Sequence, residues 1–378
     1  MKVTFISSCL LLQLNTQLSS LHCVRSFTFV PNQSLISISE NRGISFVQST
    51  FSTNNEKEIS SNTPADQSDE NNVVTYTAIP TKQYSKDEAQ SIISNTLYPP
   101  SEYKKRMYLG YQYTGVEDDH NQKALTNDDE RLRYTYAEFP VESFHHLVVE
   151  RAFYWKSTLE KVQKSAMETF EEMETEEKCL VDIGSGCAQL VLYGSLILNG
   201  NGCHESNNSK DKKEKSNWSV HGIEISQSTH DHGIKMLERG MQENFFHPAS
   251  IDSQNQDEKL SKVSLHLGSA ASCISLLSKA DVIFSYSSVF NTVGFSTTVG
   301  GMILAPEWSD MLAQQCKNGC IVVTTDRALD PTFGWTLLEK LDVENPDLIG
   351  STGFIQILDK ELYQSSVENC EENLQGNF

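Results

Sequence analysis

The clearest periodic stretch of the chain runs over residues 141–172. Apolar residues fall there at Phe144, Leu147, Val148, Trp155, Leu159, Val162, Ala166 and Phe170. The gaps are threes and fours with one longer step, the repeat of a helix with one buried face. Downstream the period changes. Short apolar runs at 179–183, 218–224, 263–267, 280–285 and 319–325 read as strands. Helix-compatible segments at 190–198, 233–245 and 308–315 alternate with them, and 335–343 with 353–358 reads as an antiparallel terminal pair. Strands alternating with helices predict an α/β fold around an open, Rossmann-like sheet of seven strands.

Upstream of the long helix the pattern is poorer. Residues 76–133 hold several tyrosines, Pro99-Pro100 and the charged group Glu117-Asp118-Asp119-His120 without a clean period. A small, mainly helical N-terminal subdomain is expected over 73–140, followed by the main domain at 141–362 and an acidic tail at 363–378. Two polar stretches, 199–217 and 248–261, interrupt the strand–helix alternation and read as surface insertions. The glutamate-rich run 168–177 reads as a solvated face.

The first 72 residues read as an address. Met1-Lys2 and the small, apolar stretch to Leu21 have the shape of a signal peptide over 1–25. Residues 26–55 are rich in Ser, Thr and Asn and poor in acid, the composition of a transit peptide, and 56–72 form a polar, disordered linker. The junction at Ser26-Phe27 resembles the bipartite presequences of secondary plastids. A plastid location is expected, with secretion as the alternative. Asn32, Asn207 and Asn217 each open an N-x-Ser triplet that could carry a glycan in a secretory lumen.

Charge narrows the class. Acidic residues outnumber basic ones 50 to 30, a formal charge of −20, which disfavours an independent nucleic-acid binder. No apolar run is long enough to span a bilayer. Nine cysteines are scattered, and Cys316 and Cys320 lack the companions of a zinc site, so no metal is expected. No Ser/His/Asp set is spaced convincingly, and His145-His146 lies within the long helix.

The chemistry concentrates at one turn. Asp182 nearly ends the first strand, Gly184-Ser185-Gly186-Cys187-Ala188-Gln189 follows, and a helix begins. A dinucleotide fingerprint wants a third glycine where Gln189 stands, which disfavours a dehydrogenase. The second strand ends in Glu224, placed to accept hydrogen bonds from both hydroxyls of a ribose. Ser269 follows the third strand. Tyr286, Ser287 and Phe290 follow the fourth, where the carboxyl-end rule puts a ligand crevice.

The run Val181-Asp182-Ile183-Gly184-Ser185-Gly186-Cys187-Ala188-Gln189, with Thr135-Tyr136-Ala137-Glu138 upstream and Gly222-Ile223-Glu224 downstream, resembles the non-SET histone lysine methyltransferases of the disruptor-of-telomeric-silencing type. That resemblance implies a class I methyltransferase sheet and S-adenosyl-L-methionine as cofactor. It further implies cofactor contacts from Glu138, Asp182, Gly184, Ser185, Gly186, Gln189, Glu224 and Ser269. Tyr136, Tyr286 and Ser287 are expected at the reacting end, with an amine of a protein side chain as acceptor. The chain departs from the family in having Tyr286 and Ser287 where paired asparagines stand, Ser269 in place of an acid, and no evident basic segment. A small-molecule acceptor and a non-catalytic binding module that keeps the fold remain as alternatives.

Overall fold

The computed structural model describes residues 75–111, 137–166, 177–198, 218–249, 262–288 and 290–375. The expected signal and transit segments, both polar insertions for most of their length, the end of the long helix and Tyr136 lie outside the described residues.

The chain enters through strand β1 (Thr75–Pro80) and helix α1 (Lys86–Ser91). Ser85 and Glu88 form a reciprocal capping box that fixes the start of α1. Helix α2 (Tyr103–Tyr111) follows. The long periodic stretch becomes α3, three consecutive helical segments at Val141–Phe144, His145–Ala152 and Phe153–Ala166. The middle segment is widened to π-type turns. Then come β2 (Lys178–Ile183), α4 (Gln189–Leu198), β3 (Trp218–Glu224), α5 (Gln227–Gln242), β4 (Phe246–Pro248) and β5 (Val263–Leu267). β6 (Val282–Ser285), a hairpin of β7 (Thr292–Ser296) and β8 (Gly301–Leu304), and α6 (Pro306–Gln315) succeed them. The chain ends with β9 (Ile321–Thr325), β10 (Arg327–Ala328), β11 (Trp335–Val343), β12 (Ser351–Leu358) and α7 (Lys360–Gln375).

Among the described residues the main sheet has nine strands, in the order β11-β12-β9-β6-β2-β3-β5-β1-β4. Its interior pairs, from β9 through β6, β2 and β3 to β5, are parallel, and both flanks are antiparallel. The expectation of seven strands therefore falls short by two. β1 pairs with β5 on one side and with the edge strand β4 on the other, so the start of the expected N-terminal subdomain belongs to the main sheet. Short, mixed sequences such as Thr75–Pro80 carry no period that separates a flanking strand from a loop. β7, β8 and β10 form a second, three-stranded sheet that the pattern did not reveal.

Side chains alternating along the parallel strands feed two cores, one on each face. Leu180, Val220, Leu265, Val282 and Val323 pack with α3, α4 and α5 on one side. Val181, Ile183, Ile223, Ile283 and Val322 pack with α6 on the other. Strands buried on both faces account for the unbroken apolar runs in the sequence.

Candidate active site

β2 lies between β3 and β6, and all three run parallel, so their carboxyl ends open onto one crevice. The glycine turn leaves β2 there. The N–H groups of Gly184 and Ser185 both donate to the carbonyl of Ile223, at 2.9 and 3.0 Å, which pins the turn to the end of β3. Gly184 has φ +76, the left-handed region that favours glycine, and a Cβ there would meet nothing within 4 Å. The demand is conformational, and the space above the turn is open. Gly222 is the opposite case. A Cβ on it would lie 2.8 Å from Ser185 Oγ and 2.9 Å from Val191 Cγ2. Bare backbone in β3 is what lets the turn and α4 lie against the sheet.

Glu224 joins the two ends directly. Its Oε2 accepts the N–H of Gly186 at 2.7 Å, and its Oε1 accepts the N–H of Ser226 at 2.7 Å. The residue is 8% exposed. Asp182 lies on the neighbouring strand, also buried. Burial, and then the negative charge of Glu224, push the Asp182 carboxyl up to about 8. Burial likewise raises Glu224, opposed by the N–H groups of Ser226 and Gly186. Among the described residues neither acid has an ion-pair partner, and no cationic side chain contributes to the shift of Asp182. The crevice thus holds two adjacent carboxyls without a countercharge.

Other expected residues fall around this centre. Ser185, Gly186 and Gln189 are half-buried in the turn and the first residue of α4. Ser269 follows β5, which is tied to β3 by the Gly268 N–H donating to the Glu224 carbonyl at 2.9 Å. Its hydroxyl accepts the N–H of Ser272 at 3.2 Å and caps a short turn.

Glu138 is bound in a buried ion pair. Arg106, 2% exposed, donates Nε to Glu138 Oε1 at 2.5 Å and Nη2 to Oε2 at 3.0 Å. The guanidinium lies over the Tyr98 ring at 5.4 Å from its centroid, and the Tyr98 hydroxyl donates to the Cys187 carbonyl at 2.5 Å. Glu138 is therefore connected to the glycine turn through two residues that the sequence did not single out.

At the end of β6, Tyr286 is half-buried, its ring 5.1 Å from that of Phe139. Its hydroxyl accepts from Asn345 Nδ2 at 3.0 Å, and burial raises the phenol above its ordinary value. Asn345 also donates to Ser351 Oγ at 2.8 Å, and Ser351 donates to Asp326 Oδ2 at 3.0 Å. Ser287 departs from expectation. It is fully buried, and its hydroxyl donates to the Thr325 carbonyl at 2.7 Å while accepting the Thr325 N–H at 3.2 Å. Ser287 lies in the loop just past β6, and its bonds to Thr325 clasp that loop to the end of β9. It has no face toward an acceptor.

Tyr98, Arg106, Asp326 and Asn345 were missed. Pro99 after Tyr98 was the only local signal, and it marks a chain turn and not a site.

Comparison with known proteins gives fold likeness only. No family model matches, and no curated protein matches in sequence. Among solved structures, the B. subtilis M1A22 tRNA methyltransferase TrmK is similar at 12% identity and TM-score 0.27, over 50% of this chain and 63% of that one. The magnesium protoporphyrin IX methyltransferase of Synechocystis PCC 6803, with bound SAM, is similar at 10% identity and TM-score 0.28, over 61% and 90%. A SAM-dependent methyltransferase from Thiobacillus denitrificans, in complex with S-adenosyl-L-homocysteine, is similar at 13% identity and TM-score 0.26, over 53% and 98%. This chain spans about 63% of the length of TrmK. Overlaps this partial add nothing to what the geometry of the crevice supports.

Proposed function

We propose that this chain is a methyltransferase using S-adenosyl-L-methionine. The observation that carries the reading is the contact of Glu224 with Gly186 beside the uncompensated Asp182. The residues fit the cofactor: a cationic, uncharged-ribose ligand needs acidic acceptors and close backbone, and the open space over Gly184 supplies the approach. Asp182 would face the ammonium and sulfonium charges, and Glu224 the ribose, its oxygens each keeping a lone pair beyond the backbone N–H they hold. The bound cofactor would supply an already activated methyl group.

The chain's own task is then alignment and exclusion of water. Phe139 and Tyr286 wall the acceptor side, and the Tyr98–Arg106–Glu138 chain braces the segment that carries Phe139. We place a protein-side-chain amine there as acceptor, because an aromatic wall desolvates an amine and favours the neutral form that can attack. A small-molecule amine would use the same wall. The presequence reading adds a plastid as the place of action, testable by imaging a fluorescent fusion of the full chain.

One observation favours a second reading, a non-catalytic module. Both Glu224 oxygens already hold backbone N–H groups. Thermal melting with S-adenosylmethionine, S-adenosylhomocysteine or NAD separates the readings. A ligand at about 100 times its dissociation constant adds roughly 2.7 kcal/mol. Stabilisation by the methyl donor and its product but not by NAD is expected. No stabilisation by either sinks the cofactor assignment. Stabilisation without transfer of labelled methyl to any extract protein or amine leaves the module.

A further inference from the structure

From Val282 to Pro306 the chain carries no Asp, Glu, Lys, Arg or His, although charged residues make up 21% of the whole. This segment leaves the crevice at the end of β6 and folds into the β7–β8 hairpin. One face of the hairpin is accounted for. Val299 and Ile303 turn inward and pack with Ala328 and Phe354 as a small core.

Among the described residues nothing covers the other face. Val293 is 58% exposed, Phe295 65% and Met302 40%. Phe295 is the register partner of Met302 across β7–β8, and Met302 is the partner of Arg327 on β10. Residues in register project to the same side of a sheet. Phe295, Met302 and Arg327 therefore form one row across three strands, with Val293 beside it. Lys340 stands at the margin, its ammonium donating to the Gly300 carbonyl in the hairpin turn at 2.7 Å. Among the described residues neither Arg327 nor Lys340 makes an ion pair; Arg327 is only partly exposed, with its Nη1 buried, whereas Lys340 is exposed and lies over the Phe354 ring at 5.6 Å. The neighbouring Asp326 carboxylate is engaged inward, by Ser288, Ser351 and the Thr352 N–H.

We propose that the outer face of the β7–β8–β10 sheet is a lipid-contact surface that seats the protein on an anionic bilayer. Large apolar side chains stand clear of an uncharged hairpin, and the exposed Lys340 sits at its edge. That is the layering of an interface, with acyl chains beneath phosphate groups. Three apolar side chains are too few for a stable protein interface, which buries about 800 Å² on each partner. A bilayer sets no such minimum. The formal charge of −20 opposes approach to an anionic surface only over the screening distance, about 8 Å at physiological salt, and the hairpin itself is uncharged. The contact is peripheral: among the described residues no helix is long and apolar enough to cross a membrane. It is independent of methyl transfer and of the cofactor.

Flotation of the full chain with vesicles at physiological ionic strength tests it. The protein is expected to float with phosphatidylcholine–phosphatidylglycerol vesicles and much less with phosphatidylcholine alone. Phe295→Asp should weaken vesicle binding at least tenfold while leaving the melting temperature unchanged, since the ring is mostly exposed. Val293→Asp serves if Phe295→Asp fails to fold. Lys340→Gln should weaken binding to the anionic vesicles about fivefold and leave binding to neutral ones as it was. The proposal is overturned if the chain does not float, if Phe295→Asp floats as well as the parent, or if the patch instead drives a dimer that Phe295→Asp dissolves while vesicles stay unbound.

Discussion

The carboxylate of Glu224 holds the backbone of Gly186 at 2.7 Å, across 38 residues of sequence. One side chain at the end of β3 thereby shapes the turn that follows β2. Its second oxygen, on the Ser226 N–H, shapes the entry to α5. Glu224→Ala strands both buried N–H groups, and each unsatisfied buried donor costs about 1–3 kcal/mol. Glu224→Gln keeps one acceptor oxygen and should cost less than Glu224→Ala. Urea melts of the three proteins check this. Stability of Glu224→Ala within about 0.5 kcal/mol of the parent would mean that the carboxylate does not hold the turn.

Asp182 should make the protein less stable as pH rises. Its carboxyl titrates near 8 in the folded chain and near the ordinary carboxylate value of 3.8 when unfolded. Between these values the folded state binds a proton that the unfolded state has released. Stability from this group is complete below about pH 4 and is lost as pH climbs through 8, at most about 1.4 kcal/mol per pH unit. Asp182→Asn should remove that loss, so its advantage over the parent grows from pH 4 to 8 in denaturant melts. A pH-independent difference would show that the acid is ionised when folded. If the cofactor assignment holds, a bound cation lowers this carboxyl, and adding S-adenosylmethionine should release protons at pH 7, measurable by calorimetry in buffers of different ionisation enthalpy.

The parallel interior of the sheet was legible because its strands are buried on both faces, and burial on both faces writes an unbroken apolar run. β3 matches its expected bounds, Trp218 to Glu224, for that reason. The glycine turn was legible through Gly184 and Gly222, which answer a dihedral demand and a close approach. The edges were not legible. β1 and β4 owe their state to pairing with partners remote in sequence, and β7 exposes alternate residues that look like loop. The support of Glu138 was hidden too. Arg106 sits in α2, whose sequence has no clear apolar face, and only the fold brings it to an acid 32 residues on. Ser287 was misread because a position beside the crevice says nothing of which way a side chain turns.

The Arg106–Glu138 pair should show strong coupling. Both side chains are largely withdrawn from water, at 3% and 13% exposed. Breaking a buried pair from one side leaves an uncompensated charge and costs roughly 3–5 kcal/mol, whereas removing both can be near neutral. Arg106→Met and Glu138→Gln should each destabilise by that order, and the double variant by much less than their sum. Additive losses in a double-mutant cycle would show that the pair is not energetically linked. Through Tyr98 and the Cys187 carbonyl, Arg106→Met should also weaken the stabilisation by S-adenosylmethionine, a readout that packing loss elsewhere would not move.

On the opposite side of β3 from Glu224, two histidines produce the reverse pH dependence. His221 Nδ1 lies 3.2 Å from His266 Nε2, and Thr75 Oγ1 lies 3.2 Å from His266 Nδ1. Burial, then the charge of His266 and of Lys279 and Lys262, lowers His221 to about 3. Burial and the charge of His230 lower His266 to about 4. The unfolded chain takes up protons near pH 6.5 that the folded pair refuses. Stability from these rings is therefore complete above 6.5 and is lost as pH falls toward 4, up to about 1.4 kcal/mol per unit for each ring. Between pH 4 and 6.5 the slope from Asp182 opposes this, so the parent's own profile is flatter than the two rings alone would make it. His221→Asn should tilt the profile toward loss with rising pH, and Asp182→Asn should tilt it toward gain. Equal slopes for the two variants in melts across that window would show that these groups do not set the balance.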